Sequence, residues 1–534
     1  MKKLLALLFS LSLILTLFPT QKLVHAEEIV ELNIMNWEDY IDAGDEEEGI
    51  PSVIDAFKQY YFEKHGVEVE VNYSTQGTCE NMYSELKLNP NHYDLVCPSE
   101  YMILKMLAEN MLEPLQRTKE VNVDVYDAGV SPYIANLFKN LSVDGKSLYD
   151  YATCYMWGTM GFVYNPEFVS EEDVKHWSAV WNSDYKNKCT IKDSVRDSYI
   201  LAIGYVYQEQ LNDLASDLAD AKQDYLAGEL TKEDYDQAVS DYNKAITDIF
   251  NNVGEDSITM VGEALKPLND ILYGYEVDSG KKDMAAGKIW INFAWSGDAV
   301  YALDFAEDPA EVGANTAELY YTVPEEGSNI FFDAWVMPKG ADVALAQEFI
   351  NFVQSPEIAL RNMNYIGYTT SIATDEIFDY LIGEEGYAYG SDDVTERDGK
   401  FFVEMENEDG STEEVEVFAV DLSYLFGRAD SNRAYVAYTD VLGRQFSAQY
   451  PDYDTVTRCT VMRNFTDEEL ERLNVMWADS KEGSTGTRGL YIAILVTAAI
   501  LILAIALIAI DKRGLFNRHG IKGYTVVKKE ELNR

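Results

Sequence analysis

Four short segments of this sequence set acids directly beside aromatic rings: Trp37-Glu38-Asp39-Tyr40, Pro98-Ser99-Glu100-Tyr101, Trp295-Ser296-Gly297-Asp298 and Phe331-Phe332-Asp333. Three follow predicted strands and the fourth sits just before one. The combination suits an aliphatic polyammonium ligand. Carboxylates hold each ammonium through charge-assisted hydrogen bonds. Ring faces add cation–π attraction of about 0.5–2 kcal/mol each and line the methylene stretches. Any one motif also fits a structural aromatic beside a capping acid; it is their repetition at strand ends that favours binding.

Bond-making chemistry is poorly provided for. Of five histidines, His25 lies in the leader and His519 in the tail, and His65, His92 and His176 are isolated. No H-E-x-x-H, G-x-S-x-G or EF-hand pattern occurs. Gly145-Lys146-Ser147 lacks the upstream glycine of a phosphate loop. A carboxylate-pair hydrolase remains an alternative, since 92 acids guarantee chance pairs. The cysteines (Cys79, Cys97, Cys154, Cys189, Cys459) form no C-x-x-C pair and read as small buried hydrophobes. No metal or cofactor is implied.

The chain has 534 residues, with 42 Lys+Arg against 92 Asp+Glu and a formal charge of −50. An aromatic fraction of 13% supplies apolar area for a packed core and excludes a disordered acidic chain. Charge of this sign opposes nucleic acid, whose phosphates require Lys and Arg, and concentrates cations near the surface. Residues 1–26 carry two lysines, an apolar run Leu4–Phe18 and small residues ending at Ala26, a secretory signal pattern; an uncleaved anchor is the alternative. Leu490–Ile510 runs 21 residues without a charge, enough to span a hydrocarbon core of about 30 Å. The tail 511–534 is net +4, so positive-inside logic places it in the cytoplasm and the body outside. The leader's +3 and the tail's +4 set aside, the body carries about −57.

The positioning elements follow from periodicity. Residues 28–36 alternate as a strand, 51–64 have helical spacing with Pro51 in the first turn and Gly66 past the end, and VEVEVNYS alternates again. A helix over Cys79–Leu88 and the run YDLVCPS complete a β-α-β-α-β order, which predicts an α/β fold with a parallel sheet. Strands are expected near 155–165 and 289–295, and helices near 197–211 and 297–306. Residues 208–252 read as a helical hairpin turning at AGELT, with Thr231 as the second N-cap. Beyond Asp333 come an alternating strand (AWVMPKG), a helix Val343–Phe352, a β-hairpin about Asp409-Gly410 within an insertion at about 385–420, and a helix Asp467–Ser480. The expected organisation is signal 1–26, first lobe 27–150, second lobe 151–335 with the insertion 208–252, and a return to the first lobe over 336–482. A tether 483–489, a transmembrane helix 490–510 and a basic tail 511–534 follow. Crossing between lobes implies a hinge and a cleft.

Several stretches also resemble the spermidine/putrescine-binding proteins that feed ABC importers: NWEDY, YDLVCPSEYMILKMLAENMLEPL, WSAVWNSDYK, IKDSVRDSY, AWSGDAVYA, EEGSNIFFDAWVMPKGA, IGYTTS and VDLSYLFG. The resemblance covers roughly 30–375 and, more weakly, 421–481. It implies a two-lobed, periplasmic-binding-protein-like α/β fold that closes over its ligand like a trap. By resemblance, Trp37, Asp39 and Tyr40 match the first-lobe contact loop, and Ser99 and Tyr101 the PS-x-Y pocket. Asp197 matches an ammonium-binding acid, Trp295 an aromatic wall, Asp333 the central amine-binding carboxylate and Tyr368 a further pocket ring. Departures are Glu38 in place of Thr, Phe331 in place of Trp, and Ser194 in place of an acid with Asp193 beside it. Arg463 stands near a position often held by an amide. Losing one acid points to a shorter diamine or weaker binding.

The resemblance thus implies a receptor, not an enzyme, that captures a polyamine outside the cell and passes it to an ABC permease and its ATPase; the membrane anchor is read from the apolar run 490–510, which lies outside the usual family pattern. A surface hydrolase using a carboxylate pair, or an adhesin or sensor on a borrowed fold, is the alternative.

Overall fold

The computed structural model describes residues 29–45, 48–383, 386–406, 411–427 and 432–481. The expected signal, tether, membrane helix and tail lie outside the described residues. Among those described, no helix is long and apolar enough to cross a membrane.

The first segment alternates as its periodicity dictates: β1 (Ile29–Asn36), α1 (Val53–His65), β2 (Glu68–Thr75), α2 (Cys79–Leu88) and β3 (Leu95–Val96). β1 lies parallel between β2 and β3. Pro51 falls outside α1 rather than in its first turn. Ser52 is the N-cap, its hydroxyl accepting the Asp55 amide at 3.0 Å, and left-handed Gly66 closes the helix.

Further elements follow in order: α3 (Glu100–Ala108), β4 (Ala152–Tyr164), β5 (Cys189–Lys192), α4 (Val195–Val206), α5 (Gln208–Ala227), α6 (Lys232–Phe250), α7 (Glu255–Leu265), β6 (Gly274–Glu276), β7 (Ile291–Trp295), α8 (Ser296–Glu307) and β8 (Ser328–Pro338). Next come α9 (Val343–Val353), α10 (Pro356–Ile366) and, last, α11 (Asp467–Lys481). The helix expected over 197–211 divides at Tyr207, which leaves helical geometry at φ −102° and ψ 16°. The hairpin α5–α6 turns at left-handed Gly228, and Thr231 caps α6 by accepting the Asp234 amide. The 385–420 insertion pairs Lys400–Glu406 with Thr412–Asp421, and its Val403 and Val417 share a small core with Tyr435 of the strand that follows, Arg433–Val436.

The main sheet runs β2-β1-β3-β8-β4-β7-β5-β6. β4 and β8 are antiparallel at its centre and belong to both halves. Both are buried along their whole length, so neither alternates inside with outside. Trp157 of β4 packs in a first core with β1 and α9, whereas Met160 and Phe162 pack in a second with α4 and α7.

A third crossing went unforeseen. Val461 belongs to the first core, but Met462, Phe465, Leu473 and Met476 belong to the second. The return to the first lobe expected over 336–482 therefore stops short of α11, which packs on α7. A Cβ added to Gly262 of α7 would lie 2.9 Å from Met476. Helical periodicity marks an apolar face and does not say which lobe receives it.

Candidate functional site

Asp333 sits where the halves join. Pairing between β8 and β4 shifts at this point: Asp333 opposes Met156 and Ala334 opposes Cys154, leaving Tyr155 as the extra residue of a bulge. A bulge bends the strand and re-aims its side chains. The Asp333 carboxylate accepts from the Tyr40 hydroxyl at 2.6 Å and from the Ser99 hydroxyl at 2.7 Å. It is 6% exposed, and no ion pair among the described residues includes it. Burial pushes its pKa up to about 6 against the two hydroxyl bonds, which lower it.

The N-W-E-D-Y segment is shaped to deliver Tyr40. Asp39 takes a left-handed conformation (φ 50°), which Asp tolerates better than most residues. The Tyr40 carbonyl then accepts from Asn36 Nδ2 at 3.2 Å and from the Tyr155 hydroxyl at 3.1 Å. Tyr368 stands edge-on to Tyr40 at 5.5 Å and to Phe331 at 5.9 Å, so the ring bonded to the carboxylate is the first of a linked set of three. Tyr368 lies against the backbone of α8. A Cβ on Gly297 would come within 1.9 Å of its ring, so only glycine fits there.

A second acidic centre lies in the other half, and it is already neutralised. Lys192, at the end of β5 and 1% exposed, places Nζ 3.0 Å from Glu276, 3.3 Å from Asp298 and 2.9 Å from the Val277 carbonyl. The same ammonium stands 4.2 Å from the centre of the Trp295 ring. Asp298 also meets Lys281 Nζ at 3.3 Å and the Tyr368 hydroxyl at 3.4 Å.

The halves touch beside these groups. The Arg196 guanidinium lies 3.9 Å over Tyr101 and 4.8 Å over Phe465, with its Nε and one terminal nitrogen buried and unbonded. Glu100 accepts the Phe332 amide at 3.0 Å; burial raises its pKa to about 8. Asp197, behind the N-cap Ser194 of α4, is half-buried, and burial raises it to about 6 against the Ser194 hydroxyl and the nearby Lys192 and Arg196 charges.

Of the residues expected from sequence, Tyr40 and Ser99 bond the Asp333 carboxylate, and Tyr368 and Phe331 join them through ring contacts. Trp295 is near but faces Lys192, and Tyr101 faces Arg196. Trp37 is half-buried, its indole N–H enclosed without an acceptor. Glu38 and Asp39 are exposed on the turn that aims Tyr40. Asp193, the substitute acid, pairs with Lys481 of α11 at 2.5 Å. Arg463 is held by Glu469 at 2.8 and 3.0 Å, so its charge is spent locally. All five cysteines are buried thiols. Lys192, Arg196 and Glu276 went unnoticed. For Lys192 the one local signal was a lysine closing the otherwise uncharged strand CTIK.

The profile of the bacterial extracellular solute-binding protein family matches residues 52–377. The spermidine/putrescine-binding periplasmic protein of Salmonella typhimurium is 25% identical over 348 residues, covering 65% of this chain and 79% of that one. The putrescine-binding periplasmic protein PotF of Escherichia coli is 24% identical over 352 residues with the same coverage. In structure, the chain resembles the spermidine/putrescine ABC transporter substrate-binding protein PotD of Streptococcus pneumoniae. The TM-score is 0.52 at 23% identity, covering 85% of this chain and 98% of that one, which shows a shared fold. The family is one of non-enzymatic binding proteins. With more than half its length matched, from α1 through β8 and beyond, this chain belongs to the bacterial extracellular solute-binding protein family.

Proposed function

We propose that this protein is a polyamine receptor that captures its ligand outside the cytoplasm and delivers it to an ABC permease. The observation that carries this is Asp333: a buried carboxylate with two hydroxyl donors, a linked set of rings beginning at Tyr40 and, among the described residues, no ion-pair partner. An isolated buried carboxylate is costly and is relieved by an ammonium. The named relatives, all binders of spermidine or putrescine, support the same ligand class. Attachment through the segment 490–510 would hold the receptor near its permease and raise its effective concentration there.

Tyr101 and Arg196 face each other across the halves, so ligand entry requires the halves to part about β4, β8 and the 461–462 crossing. Closure then trades solvent for ring and carboxylate contacts, and the ligand biases an open–closed equilibrium through contacts made only when closed. Titration calorimetry of the full-length protein with putrescine, spermidine and spermine tests the reading. Saturable one-to-one binding that Asp333→Asn removes is the expected result. Weak, unsaturating heat with every amine would mean that the acidic body merely collects counter-ions.

A further inference from the structure

We infer that Lys192 occupies the ammonium position on the second-half wall of the pocket and so restricts the ligand to a short diamine. The inference rests on the polyamine reading above and sharpens it. A wall able to hold an ammonium needs an aromatic face and a carboxylate, and the Trp295–Asp298 turn supplies both. Here a lysine of the chain already uses them.

Its Nζ lies over Trp295 and is bonded to Glu276, to Asp298 and to a backbone carbonyl. The acids have little capacity left. Glu276 accepts the Gly280 amide at 2.9 Å and Asn292 Nδ2 at 3.0 Å, and the second oxygen of Asp298 meets Lys281 and Tyr368. A ligand ammonium brought to Trp295 would meet a fixed like charge in a poorly solvated place, which disfavours it. Arg196 covers Tyr101 in the same manner.

Glu100, fully enclosed on the Phe332 amide and raised to about 8 by burial, is uncharged at neutral pH, so two acids remain for a ligand. Asp333 has hydroxyl donors and no cation, and Asp197, half-buried, has the Ser194 hydroxyl. Two acids match the two ammoniums of a diamine. The third ammonium of a triamine has no position that Lys192 does not hold.

The test measures putrescine and spermidine affinity by calorimetry on the full-length protein, its Lys192→Met variant and Asp333→Asn. The wild type should bind putrescine at least tenfold more tightly than spermidine. Lys192→Met should shift the ratio of spermidine to putrescine affinity at least tenfold toward spermidine. If that variant does not fold, the double variant Lys192→Gln/Glu276→Gln removes the ammonium while leaving amides that can bond one another, and the same shift is expected. A wild type that takes spermidine as tightly as putrescine overturns the inference, as does a folded variant that keeps the wild-type ratio. If no polyamine binds and Asp333→Asn changes nothing, the receptor reading itself fails and takes this inference with it. If Asp333→Asn abolishes binding and the ratio stays put, only the role of Lys192 is lost.

Discussion

Asp333 and Asp298 are near twins by local description. Each is an acid in an aromatic-rich segment, each is more than nine-tenths buried, and each lies within reach of a tyrosine hydroxyl: Tyr40 for Asp333, Tyr368 for Asp298. What separates them is the partner the fold supplies. Two lysines come to Asp298, whereas Asp333 receives hydroxyls only. On the proposed reading, the paired carboxylate serves structure and the unpaired one awaits a ligand's ammonium. Burial and motif are the same in both, and charge pairing assigns the role.

The largest test of this contrast is ligand affinity. Asp333→Asn should weaken diamine binding by about 100-fold or more, as expected for losing one member of a buried charge pair. Asp298→Asn should cost less than about tenfold, and equal losses in a calorimetric comparison would erase the distinction. Folding stability should run the other way. Asp298→Asn weakens a buried ion network and should lower unfolding free energy by about 2 kcal/mol. Asp333→Asn removes an unpaired charge and should cost less than about 1 kcal/mol in the same urea titrations.

A packing change sharpens the Asp333 side. Gly297→Ala drives a methyl into the Tyr368 ring, so the ring must move away from Tyr40 and Phe331. Overpacking of this kind costs about 1–3 kcal/mol, and diamine affinity should fall about tenfold by calorimetry.

The pH dependence bears on the same contrast. Asp333 is raised from 3.8 to about 6. Its protonated form accepts an ammonium poorly, so affinity should drop about tenfold between pH 7 and pH 5, with proton release on binding near pH 6. For the ligand-free protein the sign reverses. The stability this group contributes is complete below about pH 4 and is lost as pH rises through about 6. Asp333→Asn should remove its share of both trends; Asp197, also raised to about 6, should leave a remainder. An undiminished profile in the Asn variant would assign the titration elsewhere.

Much of this molecule could be read from local chemistry. Strand alternation in VEVEVNYS, the capping Thr231, the glycine closing α5 and the acid-beside-ring motifs all act within a few residues. Short-range hydrogen bonding and side-chain periodicity are therefore enough to specify them. The same local reasoning brought Tyr40 and Ser99 forward from loops beside element ends; Asp333, expected just before a strand, lies instead in the middle of β8 (Ser328–Pro338), because the apolar run ahead of it pairs as well.

The pairing of charges was settled only by the tertiary structure. Lys192, Glu276 and Asp298 are far apart in the chain and meet because β5 lies between β6 and β7, with α8 following β7. The bulge that aims Asp333, the choice of lobe by α11 and the lysine on Trp295 all depend on which strands become neighbours. Whether a buried carboxylate is satisfied depends on what stands within about 4 Å of it. That distance is a property of the sheet order, and no window of sequence contains it.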